Sequence, residues 1–333
     1  MLPNVIVLIA ALVSAAVQAD ETIRLEEMVV HAEEALPLYG SGANLGTALE
    51  GTPGIANQSF GPNVGRPVIR GQGGNRVRLL QDGLGAGDLS ALSPDHAVAI
   101  DPLLAGRVGL LRGPAALAYG SGLLGGAVNV DDGRIPQTLP EKPLSGGARY
   151  GYTSPDDAHG GAVRLDAGAG SLGVHLDGSR RHSGDLRTGR GVLDHTGSDR
   201  RSGGAGLSWI GESGFLGGSV SRLENHYGVP SFEAVPLDID LTRTRHQLRA
   251  AWYGPAAGVE ALDLAFAHND YRHVEIESGQ RGSRWTRRSY EGRVVLRHLP
   301  VAGMAGQVGF HSRHGKVAAI GEEAIVPRTK TAS

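Results

Sequence analysis

From about residue 144 onward, apolar and polar side chains alternate in segments of about ten residues that are separated by turn-forming residues. Alternation with a period of two is typical of a β-strand with one apolar and one polar face. In the stretch Arg243 to Tyr253, for example, Leu248, Ala250 and Trp252 share one face, and Arg245, Gln247 and Arg249 share the other. Strands of about ten residues suffice to cross a bilayer at a tilt, whereas strands in soluble sheets average about 5–6 residues. The pattern therefore predicts a transmembrane β-barrel, with a soluble β-sandwich as the alternative.

The composition of the 333 residues agrees with a chain of strands and turns. Glycine is abundant, at 52 residues, and each interior glycine costs a helix up to about 1 kcal/mol relative to alanine, so a helical bundle is disfavoured. There are no cysteines, which excludes disulfides and thiolate metal sites. The net charge of −2 gives no basic field for nucleic acid, so no nucleic-acid partner is expected.

The N-terminus has the features of a secretory signal peptide. Residues 5–17 are apolar, and Val17-Gln18-Ala19 before Asp20 is similar to a signal-peptidase site. The first four residues lack the usual Lys or Arg. We predict a signal peptide over residues 1–19, cleaved after Ala19, with a buried helix of a cytosolic domain as the alternative.

Residues 39–135 are predicted to form a small α+β domain. Short helices are expected at residues 45–49, 102–105 and 114–119. Strands are expected at residues 108–111 and 127–130. Two further strands, residues 67–70 and 77–80, flank a glycine-rich stretch at Gln72 to Asn75, which predicts a hairpin between them.

Four segments of this domain occur in a characteristic order. They are Arg66-Pro67-Val68-Ile69-Arg70-Gly71, Leu79-Leu80-Gln81-Asp82-Gly83, Leu111-Arg112-Gly113-Pro114 and the glycine-rich run Tyr119 to Gly126. The set resembles the plug domain of TonB-dependent outer-membrane receptors, which closes a membrane barrel from inside. The resemblance implies a plug over residues 39–135 and a barrel from residue 136 to 333. Such barrels have about 22 strands, and about nine are expected here, the last near Gly306 to His314, so the chain is expected to be the N-terminal portion of a receptor.

The resemblance also implies partners and a location. Residues 20–38 form a periplasmic segment in which Glu27, Met28, Val29 and Val30 resemble the TonB box, the extended peptide that the TonB energy-coupling protein pulls. The expected location is the outer membrane of a Gram-negative cell, in contact with its lipid. No P-loop, HExxH or GxSxG motif is present, and the GxGxxG at Gly120 precedes a predicted strand rather than a helix. We therefore expect a receptor and not an enzyme.

The sharpest chemical candidate is the pair Asp95-His96, which offers one carboxylate and one imidazole to a divalent ion. A solvated Asp-His turn without a ligand is the alternative. Further segments are similar to the zinc-type subgroup of these receptors: Leu207 to Phe215, Tyr227 to Pro230, and Asn269-Asp270-Tyr271-Arg272-His273. The resemblance implies that Asp95 and His96 bind the metal together with a barrel carboxylate, best matched by Glu322 or its neighbour Glu323. It also implies a further histidine beyond Ser333.

The expected cargo is Zn²⁺, bound as a transported ligand, and no cofactor is expected. One departure from the subgroup is that Ser231 to Leu241 is short and contains no histidine, where zinc-capturing relatives can carry a long histidine-rich loop. A ferric siderophore or haem is the alternative cargo. Another class of function stays open, a soluble periplasmic plug-like interaction protein or a non-functional truncated product.

Overall fold

The computed structural model describes residues 28–31, 44–120, 122–230, 236–301, 303–321 and 329–332. They form a small α/β domain, from residue 28 to 131, and a long-stranded antiparallel sheet, from residue 144 to 332. The predicted signal peptide lies outside the described residues. No helix within the described ranges is long and apolar enough to span a membrane.

The first domain is built from short elements. Its strands are β1 (Met28–His31), β2 (Ile55–Ser59), β3 (Gly65–Ile69), β4 (Val77–Gln81), β5 (Leu84–Gly85), β6 (Arg107–Leu111) and β7 (Gly126–Asp131). Its helices are α1 (Leu45–Ala48) and three 3-10 helices at Gly74–Arg76, Pro102–Leu104 and Gly113–Tyr119. Asn44 caps α1 by accepting from the Thr47 amide, and Asp101 caps the second 3-10 helix by accepting from Leu103. These caps satisfy amides that a short helix leaves unpaired.

The sheet of this domain has the order β1-β6-β7-β4-β5. β4 and β7 pair in parallel, and the other neighbours pair antiparallel. Aliphatic side chains of β4, β6 and β7 pack on α1 to form its core, which includes Leu45, Leu49, Val77, Leu110 and Val128. The short helices and strands expected from the sequence are thus present.

The predicted hairpin between residues 67–70 and 77–80 is wrong. β3 pairs with β2 in a separate two-stranded sheet, whereas β4 pairs with β5 and β7. The 3-10 helix at Gly74–Arg76 redirects the chain between them. Arg66 instead joins the two segments, because its guanidinium donates to the carbonyl oxygens of Gly74 and Val77 at 3.2 and 2.9 Å.

The second part is a ten-stranded antiparallel sheet in which almost every strand pairs with its neighbours along the chain. Its strands are β8 (Leu144–Thr153), β9 (Ala158–Ala169), β10 (Leu172–Ser183), β13 (Ser198–Gly211), β14 (Gly214–Val229), β15 (Leu237–Tyr253), β16 (Val259–Glu277), β17 (Gln280–Val301), β18 (Met304–Ile320) and β19 (Thr329–Ala332). A small hairpin, β11 (Leu186–Thr188) and β12 (Gly191–Leu193), lies between β10 and β13. Nine of the ten strands are at least ten residues long, as the alternation predicted. The short β19, which the sequence pattern missed, pairs with β18.

The two faces of the long sheet differ as the sequence pattern predicts. On β15, Arg243, Arg245 and Gln247 are buried, and Leu248 and Trp252 are exposed on the other face. On the neighbouring strands, large apolar side chains such as Leu216, Leu264 and Phe310 are exposed in the same way. Polar groups therefore line the concave side that holds the first domain, and apolar groups line the outside.

Two arginines that are neighbours on the inner face of β15 attach the sheet to the first domain. Arg243 donates to the Ala86 carbonyl and the Gln81 side chain at 2.8 and 2.7 Å. Arg245 donates to the carbonyl oxygens of Gly85 and Gln81 at 2.9 and 2.8 Å. Three of these four bonds go to backbone carbonyl oxygens between the end of β4 and Ala86, and so fix where the next loop begins.

A close backbone contact adds a second attachment. A Cβ atom built on Gly206 of β13 would lie 1.6 Å from the carbonyl oxygen of Arg134. No side chain fits that gap, so glycine at this position lets the segment after β7 lie directly on the sheet.

Asp82, in the turn after β4, is an acidic group whose charged form the fold disfavours. Burial of its carboxyl group, followed by the nearby Asp132 and Asp131, raises its pKa well above the usual range. Burial alone would raise the pKa of Asp132 too, but Arg134 and the Gln81 amide lower it. Asp82 also has a positive φ of 53°, a conformation that Asn adopts readily.

We expect Asp82→Asn to stabilise the fold at neutral and higher pH. The folded state keeps a proton that the unfolded chain releases near pH 3.9, so wild-type stability falls as the pH rises from there towards the folded pKa. The slope is at most about 1.4 kcal/mol per pH unit. Thermal unfolding between pH 5.5 and 8 measures it. Asp157→Asn is the matched control, because Asp157 is exposed and also has a positive φ, 47°. Parallel slopes for wild type and Asp82→Asn would contradict the expectation.

Candidate metal centre

His96 lies on the loop between β5 and β6, where that loop meets the long sheet. The loop is held from within by Asp88, whose carboxylate accepts from the Ser90 hydroxyl at 2.7 Å and the Ala99 amide at 2.9 Å. It is held from the sheet by Arg287 of β17, which donates to the Asp88 carbonyl at 2.7 Å. His96 is only 3% exposed as a result.

Two side chains of β16 approach His96 from the sheet. His273 and Glu275 are two residues apart on the strand, so both side chains point to the concave side. They are 0% and 4% exposed. The imidazoles of His96 and His273 and the carboxylate of Glu275 each offer one ligand atom, and these atoms lie within 4.8 Å of one another.

The distances fit a single small cation. Glu275 Oε1 lies 3.4 Å from His273 Nε2 and 3.7 Å from His96 Nε2. Two ligands of a tetrahedral Zn²⁺ ion, each about 2.05 Å from the metal, are separated by roughly 3.3 Å. A modest inward shift of the side chains would therefore bring all three onto one ion.

Hydrogen bonds at the outer ring nitrogens orient both histidines. His96 Nδ1 lies 3.2 Å from the Leu89 carbonyl oxygen, which only accepts, so Nδ1 carries the proton and the lone pair of the neutral ring is on Nε2. His273 Nδ1 bonds to the Tyr271 hydroxyl at 2.8 Å, leaving its Nε2 towards Glu275. Such outer bonds are the usual support of metal-binding histidines.

Two buried polar atoms of the cluster, His273 Nε2 and Glu275 Oε2, make no hydrogen bond within the part of the chain that the structure describes. One of them, His273 Nε2, nevertheless lies 3.4 Å from Glu275 Oε1 in an ion-pair contact. A buried polar atom left without a partner costs about 1–3 kcal/mol. A cation bound between the three ligands would contact His273 Nε2 directly, so the arrangement offers a candidate site for an ion.

The surroundings of the cluster are apolar. Trp285 of β17 packs on both imidazoles, with ring centroids 5.6 Å from His96 and 5.9 Å from His273. Around them is a buried hydrophobic cluster drawn from the loop and from β14, β15 and β16, which includes Leu89, Ala97, Leu223, Tyr227, Ile239, Leu241 and Tyr271. Low polarity strengthens the attraction between a cation and the carboxylate.

Of the ligands predicted from the sequence, the structure brings one, His96, into the cluster. The neighbouring Asp95 is not in the cluster, because its carboxylate accepts from the Ser93 hydroxyl instead. Ligation by Asp95 stays a prediction. Glu322 and Glu323 lie outside the described residues, and the barrel carboxylate that the structure does bring to His96 is Glu275.

His273 and Glu275 were missed as ligands, although His273 ended one of the segments quoted for the resemblance. A signal was present, since Tyr271, His273 and Glu275 recur with a period of two on one predicted strand. Period-two placement shows only that three side chains share a face. It does not show which loop that face meets.

Of the predicted TonB box, Met28, Val29 and Val30 lie in β1, and Glu27 lies outside the described residues. β1 pairs antiparallel with β6, with Val29 opposite Gly109 and Val30 opposite Val108. It is the last strand of its sheet in the described residues. Its binding to an energy-coupling partner stays a prediction.

Tyr227 of β14 fixes the backbone on both sides of His96. Its hydroxyl accepts from the Ala97 amide at 3.0 Å and donates to the Asp95 carbonyl at 3.1 Å. Tyr227 is 0% exposed, so water does not replace these bonds when the hydroxyl is removed.

On the expectation that the cluster binds Zn²⁺, Tyr227→Phe should weaken that binding by about 10-fold, the lower end of the effect of losing a group that supports a ligand, because the backbone that carries His96 loses both bonds to the sheet. Titration calorimetry with Zn²⁺ measures the change. Tyr253→Phe is the control, because Tyr253 is 47% exposed on β15. Equal affinities for the two variants would show that the Tyr227 hydroxyl does not position His96.

A small α/β domain held against the polar side of a long-stranded antiparallel sheet is the arrangement of a plug with part of the barrel that surrounds it. The family model described as TonB-dependent Receptor Plug Domain matches residues 29–127. Residues 29–127 are thus a plug domain of TonB-dependent receptors, and the sheet after them is part of the barrel of that fold.

Similar proteins include receptors with different cargoes. A hemin receptor of Yersinia pestis is 37% identical over 103 residues, which cover 30% of this chain and 15% of that receptor. Among solved structures, the copper transporter OprC has a TM-score of 0.75 and 17% identity, covering 93% of this chain and 50% of OprC. The siderophore receptor PirA from Pseudomonas aeruginosa has a TM-score of 0.65 and 17% identity, covering 93% of this chain and 52% of PirA. The chain thus spans about half the length of these solved receptors, and at such identities the likeness shows the fold alone.

Proposed function

We propose that this chain belongs to a TonB-dependent outer-membrane receptor that takes up a divalent metal ion, with Zn²⁺ as the cargo. The observation that carries the proposal is the buried cluster of His96, His273 and Glu275, whose ligand atoms lie within 4.8 Å of one another. Two imidazoles and one carboxylate with a fourth position left for water or a carried ligand make a donor set that suits Zn²⁺.

The origin of the ligands suggests how the ion is released. His96 belongs to the plug, whereas His273 and Glu275 belong to the barrel wall. A movement of the plug loop would remove one of three ligands and leave two, which hold a metal far less tightly. Binding and release would then need no bond chemistry, only a displacement of His96.

β1 is the element through which such a displacement would be driven. It is an edge strand of the plug sheet, so the TonB partner can add a strand to its outer side. Its other side pairs with β6, which follows the His96 loop in the chain. Pulling at Val29 and Val30 would load β6 and, through the 3-10 helix at Pro102–Leu104, the loop that carries His96.

Haem or a ferric siderophore is the second candidate cargo, favoured by the names of similar receptors. The geometry of the cluster favours an ion over haem. The rings of His96 and His273 have centroids 4.3 Å apart at an interplanar angle of 62°, so a flat macrocycle does not fit between them.

The test is a pair of titrations on the purified chain, one with Zn²⁺ and one with hemin. We expect wild type to bind one Zn²⁺, His96→Ala to lose that binding, and hemin to give no saturable site. Asp95→Ala, run beside them, shows whether Asp95 supplies the fourth ligand. Saturable hemin binding that His96→Ala abolishes, with no Zn²⁺ site, would replace the proposal by its haem alternative.

A further inference from the structure

The outer face of the long sheet carries an apolar groove that the transport site does not use. The groove has a volume of about 370 Å³ and is almost wholly lined by carbon. Its lining comes from five strands, β14 to β18, and includes Leu248, Leu264, Phe266, Val294 and Phe310. All five side chains are between 37% and 69% exposed.

The strand register explains the groove. One row across β15 to β18 reads Leu248, Phe266, Gly292 and Ser312, and the next row reads Ala250, Leu264, Val294 and Phe310. Gly292, Ala250 and Ser312 are the small members of these rows, so the larger side chains stand around a gap. A Cβ atom built on Gly292 would meet only Phe266, at 4.0 Å, so the gap at this position is open space.

Polar and charged rows border the groove at one end. The row directly beyond Gly292 is His246, His268, Tyr290 and His314. In it, His268 stacks on Tyr290 with centroids 4.6 Å apart and on His246 at 5.9 Å. The row after that is Thr244, Asp270, Arg288 and Lys316, and Arg272 follows one row further on β16.

The charge of this border is positive. Arg272, Arg288 and Lys316 face outward with one carboxylate, Asp270, which Arg288 contacts at 3.2 Å. Arg288 has a side chain that is 72% exposed, so its guanidinium retains donors for a second anion. Rows lie about 7 Å apart along the strands. One amphiphilic molecule can therefore place its phosphate at the cationic rows and its acyl chain in the groove.

The geometry points to a binding site for a phosphorylated acyl lipid of the bilayer, with its chain in the groove beside Gly292 and its phosphate at Arg288 and Lys316. This inference uses the bilayer location of the proposed function and is independent of the cargo. Interleaved apolar and aromatic side chains below a row of cations match that chemistry, and each basic residue near a bilayer surface favours an anionic headgroup roughly fivefold.

Tryptophan quenching by brominated lipids tests the site on the full chain. Trp252 follows Ala250, a residue of the groove, on the outer face of β15. Its side chain is 55% exposed. The chain is placed in phosphatidylcholine vesicles that contain 5% of a lipid with brominated chains, either phosphatidic acid or phosphatidylcholine. We expect brominated phosphatidic acid to quench more effectively than brominated phosphatidylcholine, by roughly fivefold for each of the two cations at the phosphate position.

Two variants address the two ends of the lipid. Arg288→Gln should remove most of the preference for phosphatidic acid, and Gly292→Leu should fill the groove and reduce quenching by brominated phosphatidic acid. The matched controls are Arg180→Gln and Val163→Leu, which change an exposed arginine of β10 and an exposed valine of β9, two strands that do not line the groove. Both controls should behave as wild type.

Three results would overturn the inference. Equal quenching by the two lipids in wild type would show that no phosphate is preferred. A control that loses as much as its paired variant would show that the surface as a whole, and not the groove, attracts the lipid. An absence of quenching in wholly brominated phosphatidylcholine would reject the bilayer location too, whereas the Zn²⁺ titration tests the cargo separately.

Discussion

Replacing His273 with alanine is expected to weaken Zn²⁺ binding about 100-fold. Structural zinc sites with four ligands gain about 10–16 kcal/mol from the metal, so one ligand accounts for roughly 3 kcal/mol. That value corresponds to about two decades in Kd. His273 is fully buried, and its Nε2 makes no hydrogen bond within the described chain beyond the 3.4 Å ion-pair contact with Glu275, so a large part of the loss should appear as metal affinity.

The measurement is a competition titration of Zn²⁺ against a chelator, with His226→Ala as the control. His226 is an exposed histidine of β14 that pairs with Asp240 at 2.6 Å, so its loss removes a histidine–carboxylate pair away from the cluster. Glu275→Gln, which keeps the shape and removes the charge, should weaken binding to a similar degree. An affinity of His273→Ala within threefold of wild type would remove this residue from the site.

A double variant separates ligation from a general loss of structure. If His96 and His273 bind the same ion, the combined loss in His96→Ala/His273→Ala will be smaller than the sum of the single losses, because either change already disables the site. Additive losses would mean that the two histidines act independently.

Replacing Arg134 with methionine is expected to cost about 3–5 kcal/mol of stability, the typical result of breaking a buried ion pair. The guanidinium bonds Asp177 of β10 through two nitrogens, at 2.6 and 2.9 Å, and Asp132 at 2.7 Å. All three groups are almost completely buried. Without Arg134, two carboxylates would face each other where the plug meets the barrel wall, so we expect the two parts to separate more easily.

Thermal and denaturant unfolding measure this loss, with Arg180→Met as the matched control. Arg180 also bonds an aspartate, Asp199 at 2.9 Å, but its side chain is 62% exposed. Exposed pairs contribute at most about 1 kcal/mol, so the control should unfold close to wild type. Asp132→Asn and Asp177→Asn added to Arg134→Met should restore much of the stability. No recovery in that triple variant would show that packing, and not charge, sets the cost.

The sequence predicted the larger architecture because it rests on local patterns. Alternation along residues 243–253 places arginines inward and Leu248 outward whatever the neighbouring strands are, and the structure confirms both faces. The order of short segments in the first domain likewise indicated the plug. The hairpin across Gln72 to Asn75 was wrong because a glycine-rich turn shows that the chain changes direction, without showing which strands then pair.

The candidate site likewise combines a residue that the sequence predicted with residues that it did not. His96 was predicted from the plug resemblance, and His273 and Glu275 were not, because their role depends on which loop the concave face of β16 meets. That contact is set by distant bonds, among them Tyr227 to the backbone around His96 and Arg243 to Ala86. The apolar groove beside Gly292 depends in the same way on the register of four strands. The sequence by itself therefore determined which residues face inward and which belong to the plug. Only the tertiary structure decided which of them meet, because register and docking are fixed by contacts between residues far apart in the chain.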